Sequence, residues 1–127
     1  MNPSCGWTAG AMISTLDDLH TWARALATGA LLRPAQQRQR LSWNPYAAVA
    51  THGLARYGLG VANVVGFIGH NGGLPGFNTD MYYLPATHAT VVVIANSYSE
   101  AGHASVSPAD DLFPQIVKIA FPAQYPH

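Results

Sequence analysis

The stretch Gly69-His70-Asn71-Gly72-Gly73-Leu74-Pro75-Gly76-Phe77 constrains this chain more than any other. It holds four of the twelve glycines and one imidazole. Apolar, strand-like segments frame it: Val64 to Ile68 before, Met81 to Leu84 and Val91 to Ile94 after. A glycine-dense segment between strands lets a backbone approach a ligand closely. Two turns compete inside it. Asn71-Gly72 suits a type I′ hairpin, whose two central residues both need positive φ. Leu74-Pro75-Gly76-Phe77 suits a type II turn, with Pro second and Gly third. If the second turn is used, a strand runs on through His70-Asn71-Gly72-Gly73. Its edge then offers His70 beside backbone N–H groups with no bulky neighbours. Acyl transfer needs such a pairing, a titratable group near the nucleophile and an N–H donor aimed at an oxyanion. The plainer alternative is a glycine-rich turn carrying a structural histidine.

The flanking chain reads as α+β. Ser14-Thr15-Leu16-Asp17 has capping-box spacing, and Asp17 and Asp18 suit the positive end of a helix. Leu16, Leu19, Ala23 and Leu26 recur at helical spacing, Trp22 flanks that stripe, and Gly29 is an αL stop, so a helix spans 15–28. Pro34 opens a short helix over 34–41. Residues 1–13 are small and apolar, and Gly10-Ala11-Met12-Ile13 reads as a tightly packed lead-in. Residues 42–56 have no stable period and read as a loop. Three strands follow: Val61 to Ile68, perturbed near Gly66; Phe77 to Leu84; and Thr90 to Ala95. The last two form a hairpin across Pro85-Ala86-Thr87-His88, with His88 solvated at its tip. Val91 to Ile94 are all apolar, so both faces of that strand should be covered. A final helix covers 110–120, with Pro114 expected in its first turn. The sum is a three-stranded antiparallel sheet with flanking helices.

Composition limits the function classes. The chain has 127 residues, enough for one domain of ordinary size. Charged residues are 9%, well below the ~25% of soluble domains. Part of the surface is therefore expected to face other polypeptide or an exported setting. Six Lys and Arg balance six Asp and Glu, leaving no basic field for nucleic acid. The one cysteine, Cys5, cannot form an intramolecular disulfide. Met1-Asn2-Pro3-Ser4 has no charged n-region and no apolar h-region of a signal peptide. The six histidines show no paired metal-ligand spacing, so neither a metal site nor a cofactor is expected. Trp7, Trp22 and Trp43 read as core. Asp80 lies on a strand, and its residue type leaves open whether it faces solvent or supports the glycine stretch.

Four segments occur in a telling order: Ala9-Gly10-Ala11-Met12-Ile13-Ser14-Thr15-Leu16-Asp17-Asp18-Leu19, then Tyr57-Gly58-Leu59-Gly60, then Gly69 to Phe77, then Val91-Val92-Val93-Ile94-Ala95-Asn96-Ser97. Together they resemble the C-terminal portion of the serine β-lactamase-like family, which includes class C β-lactamases, D-alanyl-D-alanine carboxypeptidases and related esterases. The resemblance spans residues 4–120 and implies one partial β-lactamase-like domain over 1–127. His70-Asn71-Gly72 matches the histidine variant of the family's Lys/His-Thr/Ser/Asn-Gly strand motif. The resemblance implies that His70 helps bind substrate and assists proton transfer. It implies that Asn71 and Gly72 contact substrate and that Gly73 N–H is one oxyanion donor. It also favours the turn at Leu74 to Phe77 and an exported or cell-envelope setting.

The family's nucleophile motif, Ser-x-x-Lys, does not occur in these residues. Lys118 is the one lysine, and no serine lies three places before it. Tyr-x-Asn does not occur either. The expectation is therefore a site wall that is inactive alone and meets a small-molecule or peptide substrate only together with an N-terminal part. The competing expectation is a non-catalytic binding or structural module. In that reading the apolar surface, or exposed strand edges, pair with a partner or a second copy.

Overall fold

The computed structural model describes residues 3–44, 55–99 and 106–124. The loop histidine His52 lies outside the described residues, as do His103, His127 and most of the expected 42–56 loop. A 3₁₀ turn at Pro3–Gly6 leads into α1 (Trp7–Gly10), followed by α2 (Leu16–Thr28) and α3 (Pro34–Arg40). Five strands come next: β1 (Ala55–Tyr57), β2 (Ala62–Val64), β3 (Phe67–Leu74), β4 (Phe77–Leu84) and β5 (Ala89–Ala95). The helix α4 (Pro108–Ala120) and a 3₁₀ turn at Pro122–Gln124 complete the order. The strands form one antiparallel sheet in sequence order, β1-β2-β3-β4-β5.

The sheet thus has five strands where the sequence suggested three. The segment expected as one strand from Val61 to Ile68 folds back on itself at Val65-Gly66. Both residues have positive φ, 45° and 95°, as a two-residue hairpin requires. Asn63 supports the reversal by accepting the Gly66 N–H at 2.9 Å. The strand β1 is only three residues long, too short to show an alternating pattern in a polar segment. Between β3 and β4 the turn is Pro75-Gly76, with Leu74 opposite Phe77 and Gly76 at φ 90°. The strand therefore does run on through His70 to Gly73.

Helices cover both faces. On one face α4 packs Phe113 and Val117 against Phe67, Tyr82, Leu84 and Val91. Phe113 meets Phe67 edge-on, with centroids 5.7 Å apart. On the other face α2 packs Ala23 and Ala27, with Leu19 and Leu26, against Val61, Ile68, Met81 and Tyr83. Alanines at the centre of that stripe let the helix sit close to the sheet. Both helices reach β4 and β5, which explains the unbroken apolar run Val91 to Ile94. Only its end, Ile94, is exposed.

Several local expectations shift. Thr15, not Ser14, caps α2, accepting the Asp18 N–H at 3.2 Å. The Thr15–Asp18 spacing repeats the Ser14–Asp17 pattern one residue on, so the sequence offered two registers. Pro108 starts α4 two residues early, which places Pro114 in the helix interior, where it withholds the N–H that Asp110 C=O would accept. Residues 7–13 are not packed: Trp7, Met12 and Ile13 are 80%, 88% and 87% exposed. Trp22 is also exposed, while Trp43 packs against the α2-side core.

Candidate functional site

The site is built on the β3 edge. In a two-residue hairpin the closing pair exchanges hydrogen bonds, and pairs alternate from there. Counting from Leu74–Phe77 turns the N–H and C=O of Asn71 and Gly73 away from β4. Counting from Val64–Phe67 on the other side gives the same parity. The neighbouring strand β2 reaches only Ala62, opposite Gly69. The backbone of Asn71 and Gly73 therefore points outward past the end of β2.

His70 is half-buried beside this edge. Its Nδ1 bonds the outward carbonyl of Asn71. A carbonyl only accepts, so Nδ1 carries the proton. Nε2 of the neutral ring is then an acceptor, and the Tyr57 hydroxyl donates to it at 2.6 Å. The two rings meet edge-on, with centroids 5.6 Å apart. Tyr57 comes from β1, two strands away, at the other end of the Tyr57-Gly58-Leu59-Gly60 segment. Gly72 shares the His70 face by strand alternation, and a Cβ placed there would meet nothing within 4 Å. Open space therefore lies over Gly72.

The opposite face is polar and closed. Asn71 Nδ2 donates to Asp110 Oδ1 at 2.9 Å. Asn78 Nδ2 donates to Gly72 O at 3.0 Å and to Asp110 Oδ2 at 3.3 Å. Asn78 Oδ1 accepts from the backbone N–H of Ala109 at 2.7 Å and of Asp110 at 3.3 Å. Asn78, buried in β4, is thus the N-terminal cap of α4, supplied from the sheet. Asp80 pairs with Asn71 across the strands and is 2% exposed, which answers the question its residue type left open. Burial, and secondarily the Asp110 charge, raises its carboxyl from 3.8 to about 7. Tyr98 covers Gly73: a Cβ on Gly73 would lie 2.5 Å from the Tyr98 ring.

Among the described residues no three His, Cys, Asp or Glu gather as a metal site would require. The sequence singled out His70, Asn71, Gly72 and Gly73, and they are contiguous on β3. The structure separates their side chains: His70 faces Tyr57, whereas Asn71 reaches Asp110. Sequence reasoning missed Tyr57 as a partner, and Asn78 and Asp110 altogether. Asn78 is the second residue of β4, in the polar stretch Asn78-Thr79-Asp80, and nothing in the sequence marks it as buried.

A family model for Beta-lactamase matches residues 1–112. The chain belongs to the beta-lactamase family. The structure agrees with a crystal structure of a D-stereospecific amidohydrolase from Streptomyces sp., with a TM-score of 0.67 and 26% identity. That match covers 76% of this chain and 29% of the amidohydrolase, so the beta-lactamase-like chain spans under a third of its neighbour's length. No curated protein matches it. Family membership and the structural match together give the chain a β-lactamase-like fold.

Proposed function

We propose that β3 is one wall of an acyl-transfer site that hydrolyses an amide or ester, with Gly73 N–H as an oxyanion donor. The observation that carries this is the outward-turned backbone of Gly73, three residues along β3 from His70, with open space over the intervening Gly72. His70 and Tyr57 act as a couple. While His70 is neutral, Tyr57 donates to Nε2. When His70 gains a proton, Nε2–H donates to Tyr57, whose own O–H becomes available to a leaving group. Gly72 leaves room for substrate, and Asn71 contributes through its outward N–H, its side chain being held by Asp110. The name of the structural neighbour, a D-stereospecific amidohydrolase, supports an amide as the substrate class, whether a peptide or the cyclic amide of a β-lactam.

The nucleophile in this reading comes from polypeptide outside these 127 residues, since they hold no Ser-x-x-Lys. The test is hydrolysis of a chromogenic β-lactam and of a p-nitrophenyl acyl ester. Residues 1–127 alone should give no turnover. A polypeptide that joins them to a Ser-x-x-Lys segment should turn over, and His70→Ala should lower its kcat by about 10²- to 10⁴-fold. Turnover by residues 1–127 that a Ser→Ala change among them abolishes would overturn the reading.

One observation favours a second reading, a non-catalytic docking module: Trp7, Met12 and Ile13, close together in sequence before α2, are each exposed. Concentration-dependent association, lost in Trp7→Ser with Met12→Ser, would support it. A monomer at all concentrations would count against it.

A further inference from the structure

We propose that Asp110 is a positioning residue for the β3 edge, holding the Asn71–Gly73 backbone in place from the far side of the sheet. The inference rests on the acyl-transfer reading only for its functional consequence, because the clamp itself is visible in the geometry. Asp110 Oδ1 takes the side chain of Asn71, and Oδ2 takes that of Asn78. Asn78 in turn grips Gly72 O and the first N–H groups of α4. A single carboxylate therefore ties the strand to the helix start through two amides. Charge-assisted bonds of this kind are shorter and stronger than neutral ones. The strand needs such a hold. Residues 71–73 lie beyond the end of β2, so they have a ladder partner on one side only, and two of the three are glycines. Glycine backbone loses the most freedom on ordering, so an unclamped Gly72-Gly73 would sample other conformations. An oxyanion donor misplaced by ~1 Å forfeits ~10²-fold in rate.

Amide hydrogen exchange and ¹⁵N–¹H spectra of residues 1–127 test the clamp without catalysis. In Asp110→Ala, the Gly72 and Gly73 amides should shift and the Gly72 amide, which the β3–β4 ladder holds opposite Thr79, should exchange at least ~10-fold faster, while Phe113 and Val117 stay protected. Asp110→Asn, which keeps the shape but offers one acceptor oxygen, should fall between wild type and alanine. Asp111→Ala, an exposed neighbour in the same helical turn, should change neither glycine. Unmoved Gly72 and Gly73 amides in Asp110→Ala overturn the proposal, as does an equal effect of Asp111→Ala. If α4 melts in Asp110→Ala, Asn71→Ala gives the same reading from the other end of the bond. In a joined, active polypeptide, Asp110→Ala should lower kcat with little change in KM. Shifted amides with no His70-dependent turnover would leave the clamp standing and reject the hydrolase reading.

Discussion

Tyr57 donates its hydroxyl to Nε2 of His70 at 2.6 Å, joining β1 to β3 across the short strand β2. The bond fixes the imidazole tautomer, because Nδ1 is committed to the Asn71 carbonyl. Two of the four segments that carried the family resemblance thereby converge on one ring.

Tyr57→Phe removes the donor and keeps the ring. The ¹⁵N shift of His70 Nε2 should move toward that of an unbonded acceptor nitrogen, with Nδ1 still protonated. The loss of one hydrogen bond should cost about 1 kcal/mol in chemical denaturation. An unchanged Nε2 resonance would show that the bond is not formed in solution.

Gly72 and Gly73 are adjacent and chemically identical, yet should respond differently to alanine. At 73 the new methyl meets the Tyr98 ring, and overpacking of this kind costs about 1–3 kcal/mol. At 72 the methyl enters open space, and Gly72→Ala should stay within about 1 kcal/mol of wild type. Equilibrium urea unfolding of both variants measures the contrast.

Asp80 makes stability depend on pH in an unusual direction. Its folded carboxyl titrates near 7 rather than 3.8, so between those values the folded chain holds a proton that the unfolded chain releases. This contribution is fully present below about pH 4, is lost as pH rises to about 7, and is level above. Its size is on the order of a few kcal/mol. Asp80→Asn should therefore flatten the fall in the urea midpoint between pH 4 and 7 and raise the midpoint at pH 7. A steeper fall in the variant would contradict the burial of an ionisable Asp80.

Gln37 tests how α2 ends. It is buried in α3 and donates to the carbonyls of Leu26 and Ala27 at 3.1 and 3.0 Å. Gln37→Leu keeps the bulk and leaves two helix-end carbonyls unpaired, which should cost about 1–3 kcal/mol. A change of a few tenths, measured by thermal unfolding, would mean water replaces the amide.

Much of the local structure was legible. The cap and αL stop bounded α2 to within a residue, and Pro75-Gly76 carried its own turn chemistry. The Val65-Gly66 reversal was not legible, because a β-branched residue with positive φ is the reverse of what sequence preference suggests. Pro114 misled for a similar reason: the core contacts of Phe113 and Val117 outweigh one missing helix bond.

The sequence by itself determined α2, α3, the β4–β5 hairpin and the absence of a Ser-x-x-Lys nucleophile from these residues. These follow from period, turn chemistry and residue order, all of which act over a few neighbours. Only the tertiary structure decided that Tyr57 meets His70, that Asn78 caps a helix 31 residues away and that Asp80 is buried beside Asp110. Those pairings depend on strand register and on which face each helix covers. Register is set by the whole sheet closing its hydrogen bonds and its two cores together, and no short stretch of sequence contains that information.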